Sequence, residues 1–459
     1  MEVKATTRYK NYLLALLLVV AAFNYVDRFA LGLVLENIKA DLRLSDAQLG
    51  LLTGIAYALF YAFMGIPIAR WADRGNRVTI IILTTVVWSL MVALSGAATS
   101  FAQLMLIRVV VGIGEAGCVP PAYSLFGDYF SRAERPRANA VYQQAANISL
   151  IIAYFVAGWL NQLYGWRVMF VILALPGFVI AALTWLSIEE PRRRRPSERH
   201  KNDSMPGPAG EPESGQVATA PQASMKVVLK TLWGNSTFRH LLYAISLYYF
   251  LGYGTMQWQP AFLERSFGIR SGELGTWLAA VYGVSGILGT YWGGVWASRY
   301  APNNEGLQLK AMAVINVVFN GAAWAMIYLA SNLYWAMGFM GLATLGGTTI
   351  NGPLFSTMQT LVPARMRAVS VALVLLFANL IGMGFGPLAA GVLSDALRPA
   401  FGQESLRYAL LCMCLGFIWL SWHLWHASKT VMRDLPVEPV EPVTHEGPSL
   451  FDVPATGES

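Results

Sequence analysis

Charged residues are scarce in this chain. Asp, Glu, Lys and Arg make up 13% of its 459 residues, whereas hydrophobic residues make up 55%. A soluble domain carries roughly 25% charged residues. The deficit excludes a disordered chain, a coiled coil and a nucleic-acid-binding protein, although the net charge is +7. We therefore predict an integral membrane protein whose surroundings are a lipid bilayer and which has no nucleic-acid partner.

Cysteine and histidine are also rare. The three cysteines, Cys118, Cys412 and Cys414, each lie inside an apolar run, and there are five histidines. This set offers neither a disulfide framework nor a Cys-x-x-C metal motif. His423 and His426 have a helical metal-ligand spacing but no third ligand beside them. We expect no metal site and no cofactor.

Twelve apolar runs are long enough to cross a membrane. Spanning a hydrocarbon core of ~30 Å takes about 20 residues of helix. The runs cover about residues 12–35, 49–71, 78–98, 104–126, 138–163, 168–188, 241–263, 274–297, 307–330, 333–359, 368–393 and 406–427. They predict an all-α membrane protein with twelve transmembrane helices in two pseudo-symmetric six-helix bundles.

The positions of Lys and Arg predict the orientation. With the N-terminus in the cytoplasm, 24 of the 33 basic residues fall on the cytoplasmic side, seven on the opposite side and two inside helices. Such a bias is the signature of the positive-inside rule. We expect both termini in the cytoplasm and the protein in a cell membrane, the inner membrane of a bacterium.

A polar stretch divides the chain into two halves. Residues 189–230 contain six prolines and the run Arg192–Arg195, and cannot bury enough apolar surface to fold. We predict an N-terminal bundle over 1–188, a cytoplasmic linker over 189–230, a C-terminal bundle over 231–430 and a disordered cytoplasmic tail over 431–459. The expected state is a monomer.

The two halves are copies of each other. At an offset of 225 residues, Leu49-Gly50 falls on Leu274-Gly275, and Trp71-Ala72 falls on Trp296-Ala297. A six-plus-six duplication implies halves related by an axis along the membrane normal, with a substrate site between them near mid-membrane. Rocking of the halves then alternates access to that site.

Four ionisable residues lie inside predicted spans. Asp27 and Arg28 are on the first span, and Arg108 and Glu115 are on the fourth. Each costs ~2.5–3.5 kcal/mol at a helix centre, so such residues normally pair and face a cavity. At 1.5 Å per residue, Asp27 and Arg108 reach the same depth, whereas Arg28 points about 100° away and needs another partner.

The sequence leaves two hypotheses for these four residues. In the first, Asp27 or Glu115 carries a proton whose movement is coupled to transport, with Arg28 or Arg108 as counter-ion or as a contact for a substrate anion. In the second, all four form a fixed structural network.

The loop after the second predicted span carries a second polar motif. Asp73, Arg74 and Arg77 would form a cytoplasmic gating network that holds one access state; the alternative is a topology signal with a tight turn. Here the chain resembles the major facilitator superfamily, whose loop reads Gly-x-Leu-x-Asp-Arg-x-Gly-Arg-Lys. Ala69 and Asn76 replace the two glycines of that pattern.

Further motifs narrow the resemblance to the Spinster family. They are Asn24-Tyr25-Val26-Asp27-Arg28, Asp73-Arg74-Gly75-Asn76-Arg77 and Gly112-Ile113-Gly114-Glu115-Ala116. The resemblance implies proton-linked or facilitated movement of lipid-like amphiphiles, such as lysophospholipids or sphingoid phosphates, in animal members. Arg108 also fits the span-four arginine of the wider superfamily.

Two further sets of residues complete the predicted site. Glycines and a proline let helices approach closely: Gly112, Gly114, Gly386 and Pro387. Amide and aromatic side chains could line the cavity, with a position at the membrane interface as the alternative for the aromatic ones: Tyr57, Tyr61, Gln143, Asn147, Gln257, Trp258, Tyr282 and Asn379.

A secondary transporter is the function that these features favour. The chain lacks the Gly-x-x-x-x-Gly-Lys-[Ser/Thr] loop that binds nucleotide phosphates, so ATP is not expected to drive it. A membrane enzyme would need a nucleophile–base or metal constellation, and an enzyme is not expected. A receptor of transporter fold would bind without flux. Two substrate classes stay open for such a transporter: a lysolipid or sphingoid molecule, and a small aromatic or sugar acid. Protons are the expected coupled ion.

Overall fold

The computed structural model describes residues 6–131, 133–191, 232–301, 304–361 and 367–435. Most of the predicted linker and tail therefore lies outside the described residues. Within these ranges each of the twelve predicted runs is helical. We number the spans from one to twelve along the chain. The face at which the first span begins is called the terminal face, and the opposite one the far face.

The first half contains spans one to six. Their helices are Thr7–Leu33, Asp46–Thr53 with Ile55–Arg74, Arg77–Ser95, Phe101–Glu115 with Val119–Tyr129, and Arg135–Gln143 with Ala145–Ser187. A short helix, Leu35–Leu42, follows the first span on the far face. The fifth and sixth spans form one continuous helical run that turns at Gly165, whose φ of 79° is in the left-handed region that favours glycine.

The second half contains spans seven to twelve. Their helices are Ser236–Phe267, Ser271–Tyr300, Glu305–Ile315 with Trp324–Leu329, Leu333–Thr360, Arg367–Phe377 with Gly386–Phe401, and Ser405–Asp434. Two π-helical segments, Asn316–Ala323 and Ala378–Phe385, interrupt the ninth and eleventh spans. Such segments are rare and occur frequently at functional sites.

Polar side chains set the start of many helices. The first backbone N–H groups of a helix have no partner within the helix, so a hydroxyl or amide oxygen just before it stabilises its start. Seven side chains accept a hydrogen bond from the N–H three residues ahead: Thr6, Ser45, Asn76, Ser100, Asn235, Asn304 and Asn332. These caps explain why helices begin just outside the apolar runs.

The spans differ in hydropathy. Among the described residues, seven helical segments are long and apolar enough to cross a membrane, and two of them, Arg137–Ser187 and Leu373–Asp434, each hold two spans. The seventh, eighth and tenth spans are not among the seven, although they have 32, 30 and 28 residues. They are rich in Gly, Tyr and Thr because, as described below, they line a cavity. The predicted twelve-helix fold is confirmed.

The two halves meet through small residues near the far face. A Cβ on Gly158 of the fifth span would lie 2.5 Å from the carbonyl oxygen of Ser271 on the eighth, and one on Gly54 of the second would lie 2.3 Å from that of Gly384 on the eleventh. Only a glycine allows backbones to approach this closely.

The predicted packing residue Gly386 supplies a test of equally close packing within the second half, between the eleventh and seventh spans. A Cβ there would lie 2.4 Å from the carbonyl oxygen of Phe250, so Gly386→Ala should destabilise the protein by about 1–3 kcal/mol through overpacking. Gly338→Ala is the control, because nothing lies within 4 Å of that position and alanine favours a helix interior. Thermal unfolding in detergent should show a lower Tm for the first variant only; equal Tm values would contradict the close contact.

Candidate functional site

A buried ion pair joins the first and fourth spans. Arg108 Nη1 donates to Asp27 Oδ2 at 2.6 Å, and the indole N–H of Trp88 donates to Asp27 Oδ1 at 3.3 Å. The exposed fractions are 1% for Asp27 and 3% for Arg108. Both carboxylate oxygens of Asp27 therefore have a donor, and the pair is closed to solvent.

A second ion pair lies beside the first. Arg28 Nε donates to Glu115 Oε2 at 2.6 Å, and the hydroxyl of Tyr57 donates to the same oxygen at 2.6 Å. Glu115 is fully buried, yet its other oxygen, Oε1, has no hydrogen-bond partner among the described residues. The side chain of Arg28 is 13% exposed and is the most accessible of the four charged groups.

Aromatic rings surround the guanidinium of Arg28. Its Cζ lies 4.5 Å from the ring centroid of Tyr25, 4.4 Å from that of Tyr57 and 5.0 Å from that of Tyr61. A cation over several ring faces is stabilised when water is excluded. The four-residue charge cluster thus has two pairs, and consecutive residues of the first span, Asp27 and Arg28, face different partners because they point about 100° apart.

Glycines of the fourth span make room for this cluster. A Cβ on Gly112 would lie 2.8 Å from the carbonyl oxygen of Tyr57, and one on Gly114 would lie 3.1 Å from Cβ of Trp88. Both neighbours hydrogen-bond to the cluster. The small residues therefore place Tyr57 and Trp88 within reach of the two carboxylates.

A central cavity of ≈ 280 Å³ lies between the halves, next to the charge cluster. Its wall includes Phe29, which follows Arg28 in the chain, together with Asn147 from the fifth span and Tyr282 from the eighth. Most of the wall comes from the seventh to tenth spans. This placement explains the low hydropathy of three of those spans.

The other residues predicted to line the cavity lie elsewhere. Tyr57 and Tyr61 lie against Arg28 of the charge cluster, and their rings stack with centroids 5.5 Å apart. Gln257 donates to the backbone oxygen of Arg28 at 3.1 Å. Trp258 is fully buried and donates to the carbonyl oxygen of the predicted packing residue Pro387 at 2.8 Å. Helix packing, rather than a cavity or the membrane interface, occupies this tryptophan.

Two predicted amides are not part of the wall either. Gln143 is exposed at the end of the helix Arg135–Gln143, and Asn379 is half-buried in the π-helical segment Ala378–Phe385. Helical periodicity could not have shown this, because both helices change their geometry at these positions.

The motif at the terminal face is built around Arg77. This guanidinium is fully buried, with Nη2 2.7 Å from Asp128 and 2.5 Å from Glu190. It therefore joins the third span to the ends of the fourth and the sixth within the first half. Asp73 and Arg74, predicted to gate with it, are exposed. Asp128 and Glu190 were not predicted as partners of Arg77, because acidic residues at span ends resemble ordinary loop charges.

A network of charges at the far face joins the two halves. Arg265 of the seventh span donates to both oxygens of Asp46 of the second, Nη1 to Oδ2 at 2.8 Å and Nη2 to Oδ1 at 2.6 Å. Its Nε donates to Glu36 Oε1 at 2.8 Å. Ser394 Oγ also donates to Asp46, at 2.6 Å. Asp46 is 1% exposed, so this contact between halves is shielded from water.

Asp395 adds a reciprocal contact. Its carboxylate accepts hydrogen bonds from the backbone N–H groups of Asp46 at 3.1 Å and Ala47 at 2.7 Å, at the start of the second span. A carboxylate at a helix N-terminus stabilises the helix dipole. The far-face network was not predicted from the sequence. There, Arg265 served only as one of the basic residues that indicate the orientation in the membrane.

Among the described residues, no group of three or more His, Cys, Asp or Glu side chains is placed to hold a metal ion. His240 and His423 approach each other through their Nδ1 atoms at 2.9 Å. The predicted His423–His426 pair thus has a ring nitrogen of another helix beside it, without metal-site geometry.

Comparisons with known proteins agree with this architecture. The chain is 30% identical over 426 residues to an "MFS-type efflux pump" of Mycolicibacterium smegmatis, covering 91% of this chain and 92% of that one. It is 24% identical over 422 residues to a protein of Escherichia coli K12 named "Probable L-galactonate transporter", covering 90% and 89%.

A solved structure is similar as well. It is that of a bacterial homologue to the human lysosomal transporter Spinster, in an inward-facing and unoccupied conformation. The TM-score is 0.80 at 28% sequence identity, and the match covers 94% of this chain and 99% of that one.

Two six-helix bundles around one central cavity define a multi-pass membrane transporter rather than an enzyme. The model of the Major Facilitator Superfamily matches residues 17–387. The chain belongs to this superfamily, and it resembles the Spinster branch.

The far-face network generates a prediction. Breaking a buried ion pair by removing one partner costs about 3–5 kcal/mol, so Arg265→Gln should populate conformations in which the halves part at the far face. Spin labels on cysteines introduced at the exposed positions Ala40 and Ala400 report this separation. The background should carry Cys412→Ser, because Cys412 is exposed.

The control is Arg167→Gln. Arg167 also forms an ion pair at the far face, with Asp41 at 2.9 Å, but both residues belong to the first half. The label distance distribution should gain a longer component with Arg265→Gln and stay unchanged with Arg167→Gln. The same distribution in both variants would show that Arg265 does not hold the halves together.

Proposed function

We propose that the protein is a proton-coupled secondary transporter that moves a small amphiphilic or anionic organic solute through the central cavity by alternating access. The observation that carries the coupling is the buried Glu115, whose Oε1 has no hydrogen-bond partner among the described residues. A carboxylate of this kind can accept a proton without losing an existing hydrogen bond.

The consequence of protonation follows from the two pairs. A proton on Glu115 removes the negative charge that holds Arg28. Arg28 directly precedes Phe29, which is part of the cavity wall. The released guanidinium changes the electrostatic potential at the cavity, which couples proton binding to the conformations that favour or disfavour the substrate. Asp27 is the second candidate, although both of its oxygens already accept hydrogen bonds.

The orientation is part of the proposal. The bias of basic residues makes the terminal face cytoplasmic, in the inner membrane of a bacterium, and the transporter acts as a monomer. The far-face network then closes the outer side of the molecule. The similarity to a solved structure in an inward-facing conformation supports this orientation. With this orientation, Asp73, Arg74 and Arg77 lie at the cytoplasmic end of the molecule.

Two substrate classes have support. The aromatic wall of the cavity and the resemblance to the Spinster branch favour a lysolipid-like or sphingoid-like amphiphile. The relative whose name refers to L-galactonate favours an organic acid.

A receptor of the same fold would bind its ligand without moving it across the membrane. A measurement of flux therefore distinguishes a transporter from a receptor.

The test measures uptake into proteoliposomes with and without an inwardly directed proton gradient. The panel of substrates contains a lysophospholipid and L-galactonate. Wild-type protein should accumulate at least one panel member only when the gradient is present. In Glu115→Gln, gradient-driven accumulation should fall at least tenfold. Exchange of substrate across the membrane without a gradient should remain, because the neutral amide mimics the permanently protonated acid.

Asp27→Asn is tested beside it. Gradient-driven accumulation that survives in Glu115→Gln and fails in Asp27→Asn would assign the proton to Asp27. Undiminished accumulation in both variants would contradict coupling through the charge cluster, and binding without any flux would favour a receptor.

A further inference from the structure

The cavity wall has an unusual composition for a transporter of acids. It consists of tyrosine, asparagine, threonine, glycine and apolar side chains, and none of the described residues that line it is charged. A carboxylate or phosphate transferred from water into such surroundings needs a cation or several strong donors. The nearby Arg28 already has Glu115 as its partner.

Two residues of this wall carry side-chain hydroxyl groups for which the described part of the chain offers no hydrogen-bond partner. The hydroxyl of Tyr282 and Oγ1 of Thr344 are buried, and neither atom has a hydrogen-bond partner among the described residues. Tyr282 as a whole is 8% exposed. Buried polar atoms are nearly always hydrogen-bonded, and leaving one unpaired costs about 1–3 kcal/mol. Two such atoms on one cavity wall indicate hydrogen bonds that a bound ligand completes.

An ordered amide presents a further polar group at the same cavity. Asn320 on the wall donates to Asn316 Oδ1 at 3.0 Å, and Asn316 in turn donates to the backbone oxygen of Phe417 at 2.8 Å and to Ser421 Oγ at 2.7 Å. Asn316 and Asn320 belong to the π-helical segment of the ninth span. The chain of hydrogen bonds fixes the orientation of the amide before a ligand arrives.

Aromatic rings cover the far-face side of the cavity. The rings of Tyr154 and Tyr282 stack across the two halves with centroids 5.7 Å apart, and Phe29 lies 6.1 Å from Tyr154. On the second-half wall, Tyr249 and Tyr253 stack at 5.9 Å. These rings offer a flat apolar surface to the body of a ligand.

We infer that the cavity binds a solute with an apolar body and an uncharged hydrogen-bonding end, and that the hydroxyls of Tyr282 and Thr344 recognise that end. The inference rests on the proposed function in that it takes the cavity as the transport site, and it narrows the substrate to a neutral amphiphile. A hydroxyl or amide of the ligand pairs with the two wall hydroxyls, and the rings contact its body.

Equilibrium binding to the full-length protein in lipid nanodiscs tests this inference. Three labelled probes are compared: 1-dodecanoylglycerol, the lysophosphatidate with the same chain, and L-galactonate, with empty nanodiscs to subtract partitioning into lipid. We expect saturable binding of 1-dodecanoylglycerol, weakened about three- to tenfold by Tyr282→Phe and by Thr344→Val. The two charged probes should bind at least tenfold more weakly.

Tyr328→Phe is the matched control. The hydroxyl of Tyr328 is also buried and without a partner among the described residues, but Tyr328 is not part of the cavity wall. Its removal should leave binding unchanged. Equal losses in Tyr328→Phe and Tyr282→Phe, or no loss in Tyr282→Phe and Thr344→Val, would overturn the role of the wall hydroxyls.

Tighter binding of lysophosphatidate or L-galactonate than of 1-dodecanoylglycerol would overturn the ligand class. Binding needs no pH gradient, so either failure is separable from failure of the proposed function. If gradient-driven uptake persists while the neutral probe does not bind, the ligand class is wrong and the coupled transporter stands. If the neutral probe binds as expected but neither it nor any panel member shows flux, the ligand class stands and the transporter does not.

Discussion

The cost of placing charge inside an apolar medium governs the first half of this protein. Two acids and two arginines lie within its spans, and each would be unfavourable alone. They are tolerated because each acid meets its own arginine: Asp27 meets Arg108, and Glu115 meets Arg28. The pairs depend on glycines in the fourth span that let tyrosine and tryptophan side chains reach the carboxylates. The ion pairs therefore depend on the close packing of the helices that carry them.

The two halves differ in their chemistry, although parts of their sequences match at an offset of 225 residues. The first half holds the buried charges, and the second supplies most of a cavity wall without charge. Phe29, adjacent to Arg28, is the short connection between the two regions. At the far face the halves exchange contacts: Arg265 of the second half binds Asp46 of the first, and Asp395 caps the helix that Asp46 begins. The proposed site is thus shared between halves that alternating access would require to separate.

Counting along helices was sufficient for part of this arrangement. Twelve spans follow from apolar length, and the common depth of Asp27 and Arg108 follows from a fixed rise per residue. The angle between neighbouring side chains showed that Arg28 needs a partner other than that of Asp27. Contacts between distant segments were beyond such reasoning. Arg265 and Asp46 are 219 positions apart, and in the sequence both are ordinary charges beside a span.

Composition also misled in places. Trp258 has the residue type of a cavity wall, but its indole N–H meets the carbonyl oxygen of Pro387 in the packed core of the second half. Asn379 lies in a π-helical segment, where the spacing of an α-helix no longer tells which side chains share a face. Burial and local helix geometry, which decide these positions, depend on the packing of the whole bundle.

The neighbouring rings of Phe29, Tyr154 and Tyr282 also bear on leakage. A carrier that lets water thread from its pocket to the outer surface becomes a pore, and protons then run down their gradient without cargo. The rings of Tyr154 and Tyr282, packed across the two halves, place apolar surface at that level, which disfavours a continuous file of water. In the proposed mechanism, this apolar layer adds to the ionic contacts of the far face in keeping the two sides of the membrane separate.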